Sequence, residues 1–87
     1  MSRFARKIDK NQPEIVGALR GAGCQVLSLA PLGNGAADLL VRRGMGLHLL
    51  EVKGPTGDLT ADQREFHAFW PVTIVRSIDE ALRAVGL

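Results

Sequence analysis

The sequence predicts an α/β domain in the order αβββαβα, a mixed sheet flanked by helices. Three observations predict it. Apolar residues recur at helical spacing in three separate segments, two of these segments open on capping-box patterns, and four short apolar or β-branched runs lie between glycine- and proline-rich breaks. Eighty-seven residues, 46% of them hydrophobic, suit one domain with a modest core. A chain of this size buries only somewhat more than about 60% of its unfolded surface, so dimerisation is a natural way to add stability.

The first helix is expected from Asn11 to about Arg20. Asn11 can cap it, Pro13 is tolerated in the first turn, and Ile15, Val16 and Leu19 fall on one stripe before Gly21 and Gly23 end it. Residues 24–29 (CQVLSL) alternate weakly and read as a strand that includes the single cysteine, Cys24, taken as a small strand residue rather than a metal ligand. A loop follows through Pro31, Gly33, Asn34 and Gly35. Two apolar strands then flank the turn Gly44-Met45-Gly46 and end in Glu51-Val52-Lys53. After a second loop, Thr60-Ala61-Asp62-Gln63 opens a helix that runs to about Trp70, where Pro71 stops it. Residues 72–75 (VTIV) are a β-branched strand, and Ser77-Ile78-Asp79-Glu80 opens a final helix bearing Ala81, Leu82 and Val85. Joined by a helical crossover, the last strand should pair parallel to an earlier one.

No apolar run approaches the roughly 18 residues of a membrane span, and no apolar segment follows the charged start. A cytoplasmic protein is expected. Charge is unevenly placed. Residues 1–10 carry Arg3, Arg6, Lys7 and Lys10 against Asp9 alone, whereas the other 77 residues hold seven basic and eight acidic side chains. We therefore separate a basic arm, 1–10, from a single domain, 11–87. Such an arm can follow a phosphate backbone or remain a solvated tail.

The hairpin poses a chemical question, because Asp38 stands in its first strand and Glu51 and Lys53 in its second. Alternation puts Asp38, Leu40 and Arg42 on one face and Leu49, Glu51 and Lys53 on one face, leaving Leu39, Val41, Leu50 and Val52 for the core. The two sets share a face only if paired positions add to an odd number, as with Asp38 opposite Glu51. A two- or four-residue loop at Arg43 to Gly46 gives that register and a three-residue loop does not. Two carboxylates so placed repel unless a cation intervenes. A hard divalent ion such as Mg²⁺ or Mn²⁺ suits oxygen ligands, and Lys53 would steady an attacking water or charge developing on phosphorus. The alternative is an Asp bordering a turn beside a solvated Glu51–Lys53 pair, although aspartate is disfavoured inside a strand whose flanking runs are apolar.

The residues Gly35-Ala36-Ala37-Asp38-Leu39-Leu40, then Glu51-Val52-Lys53-Gly54, then Leu59-Thr60 with Gln63 and His67 resemble the VRR-NUC branch of the PD-(D/E)XK nuclease superfamily over about residues 11–85. Proline often precedes the aspartate in that motif; here the residue is Ala37. The resemblance implies a minimal restriction-endonuclease-like core and Mg²⁺ or Mn²⁺ as cofactor. It also implies metal carboxylates at Asp38 and Glu51, a further ligand in the Val52 carbonyl, and the motif lysine at Lys53. Glu14 corresponds to an additional acidic residue that binds or orients metal and water, and Gln63 to a glutamine approaching the lysine or the scissile phosphate. Both are also explained as capping-box partners, of Asn11 and Thr60 respectively. The implied activity is metal-dependent endonucleolytic hydrolysis of DNA. Stand-alone members include small phage-type proteins similar to Holliday-junction resolvases, which implies a structure-selective homodimer acting on branched DNA, with no nucleotide cofactor and no membrane partner. A nicking or flap nuclease of the same fold, or a non-catalytic DNA-binding or adaptor protein, are the alternatives.

Among the remaining residues, Phe66, Phe69 and Trp70 are expected in the core or at a dimer contact. His48 and His67 lack the partners of a base or ligand and are expected to be structural or surface residues. Arg42 and Arg43 beside the turn join Arg3, Arg6, Lys7 and Lys10 as candidate DNA contacts, as do Arg64 and Arg76, for all of which solvated surface is the default.

Overall fold

The structure, a computed structural model, describes residues 10–87. Its elements are α1 (Gln12–Gly21), β1 (Gln25–Ser28), β2 (Leu39–Arg43), β3 (Gly46–Val52), α2 (Ala61–Phe69), β4 (Val72–Val75) and α3 (Ile78–Ala84), with a single 3-10 turn, Ala30–Leu32, inside the first loop. This is the expected αβββαβα order. The sheet runs β1-β2-β3-β4, antiparallel across its first two pairs and parallel between β3 and β4. Helix α2 makes the crossover between the parallel strands.

Parity in the hairpin follows from its turn. Arg43 lies opposite Gly46 and Leu39 opposite Leu50, so the loop is the two residues Gly44-Met45. Gly44 takes φ +58° while Met45 stays out of the left-handed region, the φ pattern of a II′ turn, which favours glycine at its first central position. Leu39, Val41, Leu50 and Val52 are all buried as alternation requires. They form one core with Val26, Val75, Ile15 and Leu19 of α1, and Ala81 of α3 with Val85 just beyond its end. Helices α1 and α3 thus cover one face of the sheet, and α2 crosses part of the other.

Three local expectations are corrected. Asn11 precedes α1 but sits in a helical conformation and makes no side-chain cap; its Nδ2 instead donates to the carbonyls of Lys53 at 3.1 Å and Arg76 at 3.2 Å. The Asn11–Glu14 box therefore does not form, and Asn11 pins α1 to the ends of the two parallel strands. Cys24 is buried but lies one residue before β1. At α3 the Ser77 hydroxyl accepts from the Glu80 N–H, but the Glu80 carboxylate reaches past Ser77 to the N–H of Arg76 at 2.7 Å. The box at Thr60 and Gln63, by contrast, is complete. Among the described residues no helix is long and apolar enough to cross a membrane.

Candidate active site

Asp38 stands one residue before β2, just beyond the last pair of the ladder, Leu39 opposite Leu50, and so beside the end of β3 that carries Glu51. Its backbone N–H donates to the Leu50 carbonyl, while its Oδ2 accepts from the N–H of Val52 at 2.7 Å. The carboxylate thus closes the end of the ladder where a backbone carbonyl would otherwise stand. This interaction holds it on the strand that carries Glu51 and Lys53.

Glu51 is 1% exposed, and the groups over it come from α2. Gln63 donates from Nε2 to Glu51 Oε2 at 3.3 Å, and its Oε1 accepts from Lys53 Nζ at 2.8 Å and from the Thr60 N–H at 2.9 Å. The cap and the site role of Gln63 are therefore not alternatives, because one amide performs both. Lys53 Nζ also lies 3.8 Å from Glu51 Oε2. Burying a carboxylate is costly without a counter-charge or hydrogen bonds, and this amide and ammonium supply both.

Gly35 sets the height of α2 above the sheet. Its φ is +75°, and a Cβ there would collide with the carbonyl group of Asp62 and the N–H of Gln63. Only glycine lets the loop before Asp38 touch the first turn of α2, which is how Gln63 comes within reach of Glu51 and Lys53. On the far side, Arg76 Nη1 donates to the carbonyls of Gly54 at 2.7 Å and Gly57 at 2.8 Å, clasping the loop that follows Lys53.

Glu14 does not join this group. The inward side of α1 is occupied by Ile15 and Leu19, with Asn11 turned onto the sheet, and Glu14 is exposed, lining a cleft of about 400 Å³ with Asn11, Arg76, Ser77 and Asp79. Arg3, Arg6 and Lys7 lie outside the described residues, and Lys10 and Arg42 are exposed. Arg43 donates to the carbonyls of Val85 and Gly86, both at 3.3 Å, and so holds the end of α3 to the hairpin. Arg64 pairs with Asp58 at 2.9 Å on the surface. Phe66 stacks on Trp70 at 5.6 Å between ring centroids, but Phe69 and Trp70 are 82% and 54% exposed, so neither belongs to the core.

His67 is the site residue whose position differs most from expectation. One helical turn beyond Gln63, it brings Nε2 to 3.6 Å from Glu51 Oε1, with its side chain 13% exposed. Burial and the neighbouring Lys53 ammonium lower its pKa from 6.5, opposed by Asp38. The i, i+4 spacing of Gln63 and His67 is the signal for this placement, since both project from one side of α2.

The site brings the Asp38 and Glu51 carboxylates beside the Lys53 ammonium and a histidine held toward its neutral form. Carboxylate oxygens are the donors a hard divalent cation takes, and Asp38 and Glu51 would be the residues to hold one. Among the described residues no group of three or more His, Cys, Asp and Glu side chains is placed to hold a metal, so the pair would share an ion with water and backbone oxygens, a common arrangement for Mg²⁺. Comparison with protein-family models, curated proteins and solved structures finds no match to the chain.

Proposed function

We propose that the chain is a divalent-metal-dependent endodeoxyribonuclease similar to the VRR-NUC nucleases, acting as a structure-selective homodimer on branched DNA such as a Holliday junction. The observation that carries this reading is the register: the β2–β3 ladder ends with Leu39 opposite Leu50, leaving Asp38 and Glu51 each one residue beyond that last pair, with Lys53 two residues further along and linked to Glu51 through Gln63. Asp38 and Glu51 would hold the cation, together with the Val52 carbonyl in the resembling motif. The bound ion would supply Lewis-acid polarisation of the scissile phosphate and of the attacking water.

The chain's own groups do the rest. Gln63 Oε1 engages the Lys53 ammonium, which has three protons to donate. The others can meet the charge that develops as water adds to phosphorus and the bond to the 3′ oxygen breaks. Gln63 also steadies Glu51, so one α2 side chain orients both the carboxylate and the donor. The substrate class and the homodimer rest on the resemblance, with exposed Leu27, Leu47, Phe69 and Trp70 supporting association.

The test is incubation with labelled four-way junction, flap, linear duplex and single-stranded DNA in Mg²⁺, Mn²⁺ or chelator, with Glu51→Ala as control. Symmetric, metal-dependent junction cuts that vanish in the variant are the expected result. Preferential cutting of flaps or nicked duplex would replace the substrate class, and binding without cutting would make the protein a non-catalytic DNA-binding scaffold.

A further inference from the structure

Lys53 is held at both ends. Its Nζ donates to Gln63 Oε1 at 2.8 Å. Its backbone N–H donates to the Val75 carbonyl at 3.0 Å, and its carbonyl accepts from Asn11 Nδ2 at 3.1 Å. Between these ends lies a flexible four-carbon stem, whose rotational freedom works against a fixed position for Nζ. The side chain is only 12% exposed, and part of its cover is the turn that follows it.

Residues 54–57 form a β-turn in which the Gly57 N–H donates to the Gly54 carbonyl at 3.2 Å, with Pro55 at the first central position. The turn folds back over the lysine: a Cβ on Gly57 would stand 3.5 Å from Lys53 Cδ and 3.6 Å from its Cβ. A turn framed by two glycines has little stiffness of its own, and Pro55 and Thr56 are exposed. Its hold comes from Arg76, one residue past β4. Arg76 Nη1 donates to the Gly54 and Gly57 carbonyls at 2.7 and 2.8 Å, so both hydrogens of one terminal nitrogen are committed to the protein's own backbone. The base of the arginine is fixed in turn, with its N–H on Glu80 Oε1 at 2.7 Å and its carbonyl on the same Asn11 amide that grips Lys53.

We propose that Arg76 is a positioning residue for Lys53. By clasping the 54–57 turn onto the lysine stem, it holds Nζ at Gln63 and Glu51, where the nuclease reading above, on which this inference rests, requires it. The arginine thus serves the site through backbone carbonyls and not as a phosphate contact.

Two variants separate these roles. Arg76→Met removes the donors and keeps an apolar stem, whereas Pro55→Gly loosens the same exposed turn with the arginine in place. In the metal-free full chain both should make the Lys53 side chain more mobile, read by NMR as a lower order parameter at ¹³Cε, while core methyl signals stay unchanged. Single-turnover cleavage of labelled four-way junction at saturating Mn²⁺ should fall about tenfold or more in Arg76→Met, with junction affinity and its salt dependence as in the wild type. If Arg76→Met does not fold, the lysine signal in Pro55→Gly decides alone. Lys53 order unchanged in the folded variants overturns the proposal. So does weaker junction binding with a salt slope reduced by about one at an undiminished maximal rate, the signature of a phosphate contact. No cleavage by the wild type, with Lys53 loosened in the variants, overturns the nuclease reading and leaves Arg76 as the group that holds the lysine.

Discussion

Glu51 is a buried carboxylate between the sheet and α2, and the surrounding residues show what its burial requires. Gln63 and Lys53 engage Oε2, and His67 faces Oε1. The lowered pKa of His67 has a consequence for the metal-free protein. Below about pH 6.5 the unfolded chain takes up a proton at this position that the folded chain resists, so stability falls as pH drops through and below 6.5 toward the lower folded value. Melting temperatures between pH 8 and pH 5 should therefore fall more steeply for the wild type than for His67→Gln; parallel profiles would show that His67 does not titrate differently on folding. Asp38, Glu51 and Lys53 were legible in the sequence because strand period and turn parity alone decide which side chains share a face. His67 was less so, because its role depends on how closely α2 lies over the sheet. The position of Glu14 depended on Asn11, whose amide serves two distant carbonyls instead of its own helix.

That close approach is a property of elements, and Gly35 controls it. Gly35→Ala would place a methyl group against the backbone of Asp62 and Gln63 at positive φ, where the neighbouring backbone cannot yield as a side chain could. The expected cost is about 2–4 kcal/mol of stability, combining left-handed strain with overpacking. A chemical-denaturation midpoint measures it, and a loss below about 0.5 kcal/mol would show that α2 can lift without penalty. The elements themselves were largely readable: the complete Thr60 box starts α2 at the expected residue, and β4 coincides with its β-branched run. The expected cap at Asn11 failed because tertiary hydrogen bonds outcompeted a local one. In the same way, the 3-10 turn at Ala30–Leu32 is a local winding that the pattern of Pro31 and Gly33 marks only as a break.

At the scale of the whole molecule, α1 and α3 close one face of the sheet and α2 covers only part of the other. What remains is a groove of about 380 Å³ lined by Leu40, Leu47, His48, Leu49, Trp70 and Pro71. A two-fold partner would bury the same patch on both copies. Sedimentation should show a dimer for the wild type and a folded monomer for Leu47→Glu/Trp70→Glu, whereas a wild-type monomer at tens of micromolar would remove dimerisation from the proposal. The nuclease reading makes its sharpest demand on Lys53, whose ammonium acts on the reacting phosphate rather than on the ion. The most direct measurement is the single-turnover cleavage rate of labelled four-way junction at saturating Mn²⁺, for wild type and Lys53→Met, with Mn²⁺ binding measured alongside. Cleavage that drops by about 10²–10³ while the ion still binds is the predicted result; equal rates in the two proteins, or no cleavage by the wild type with either Mn²⁺ or Mg²⁺, would contradict it.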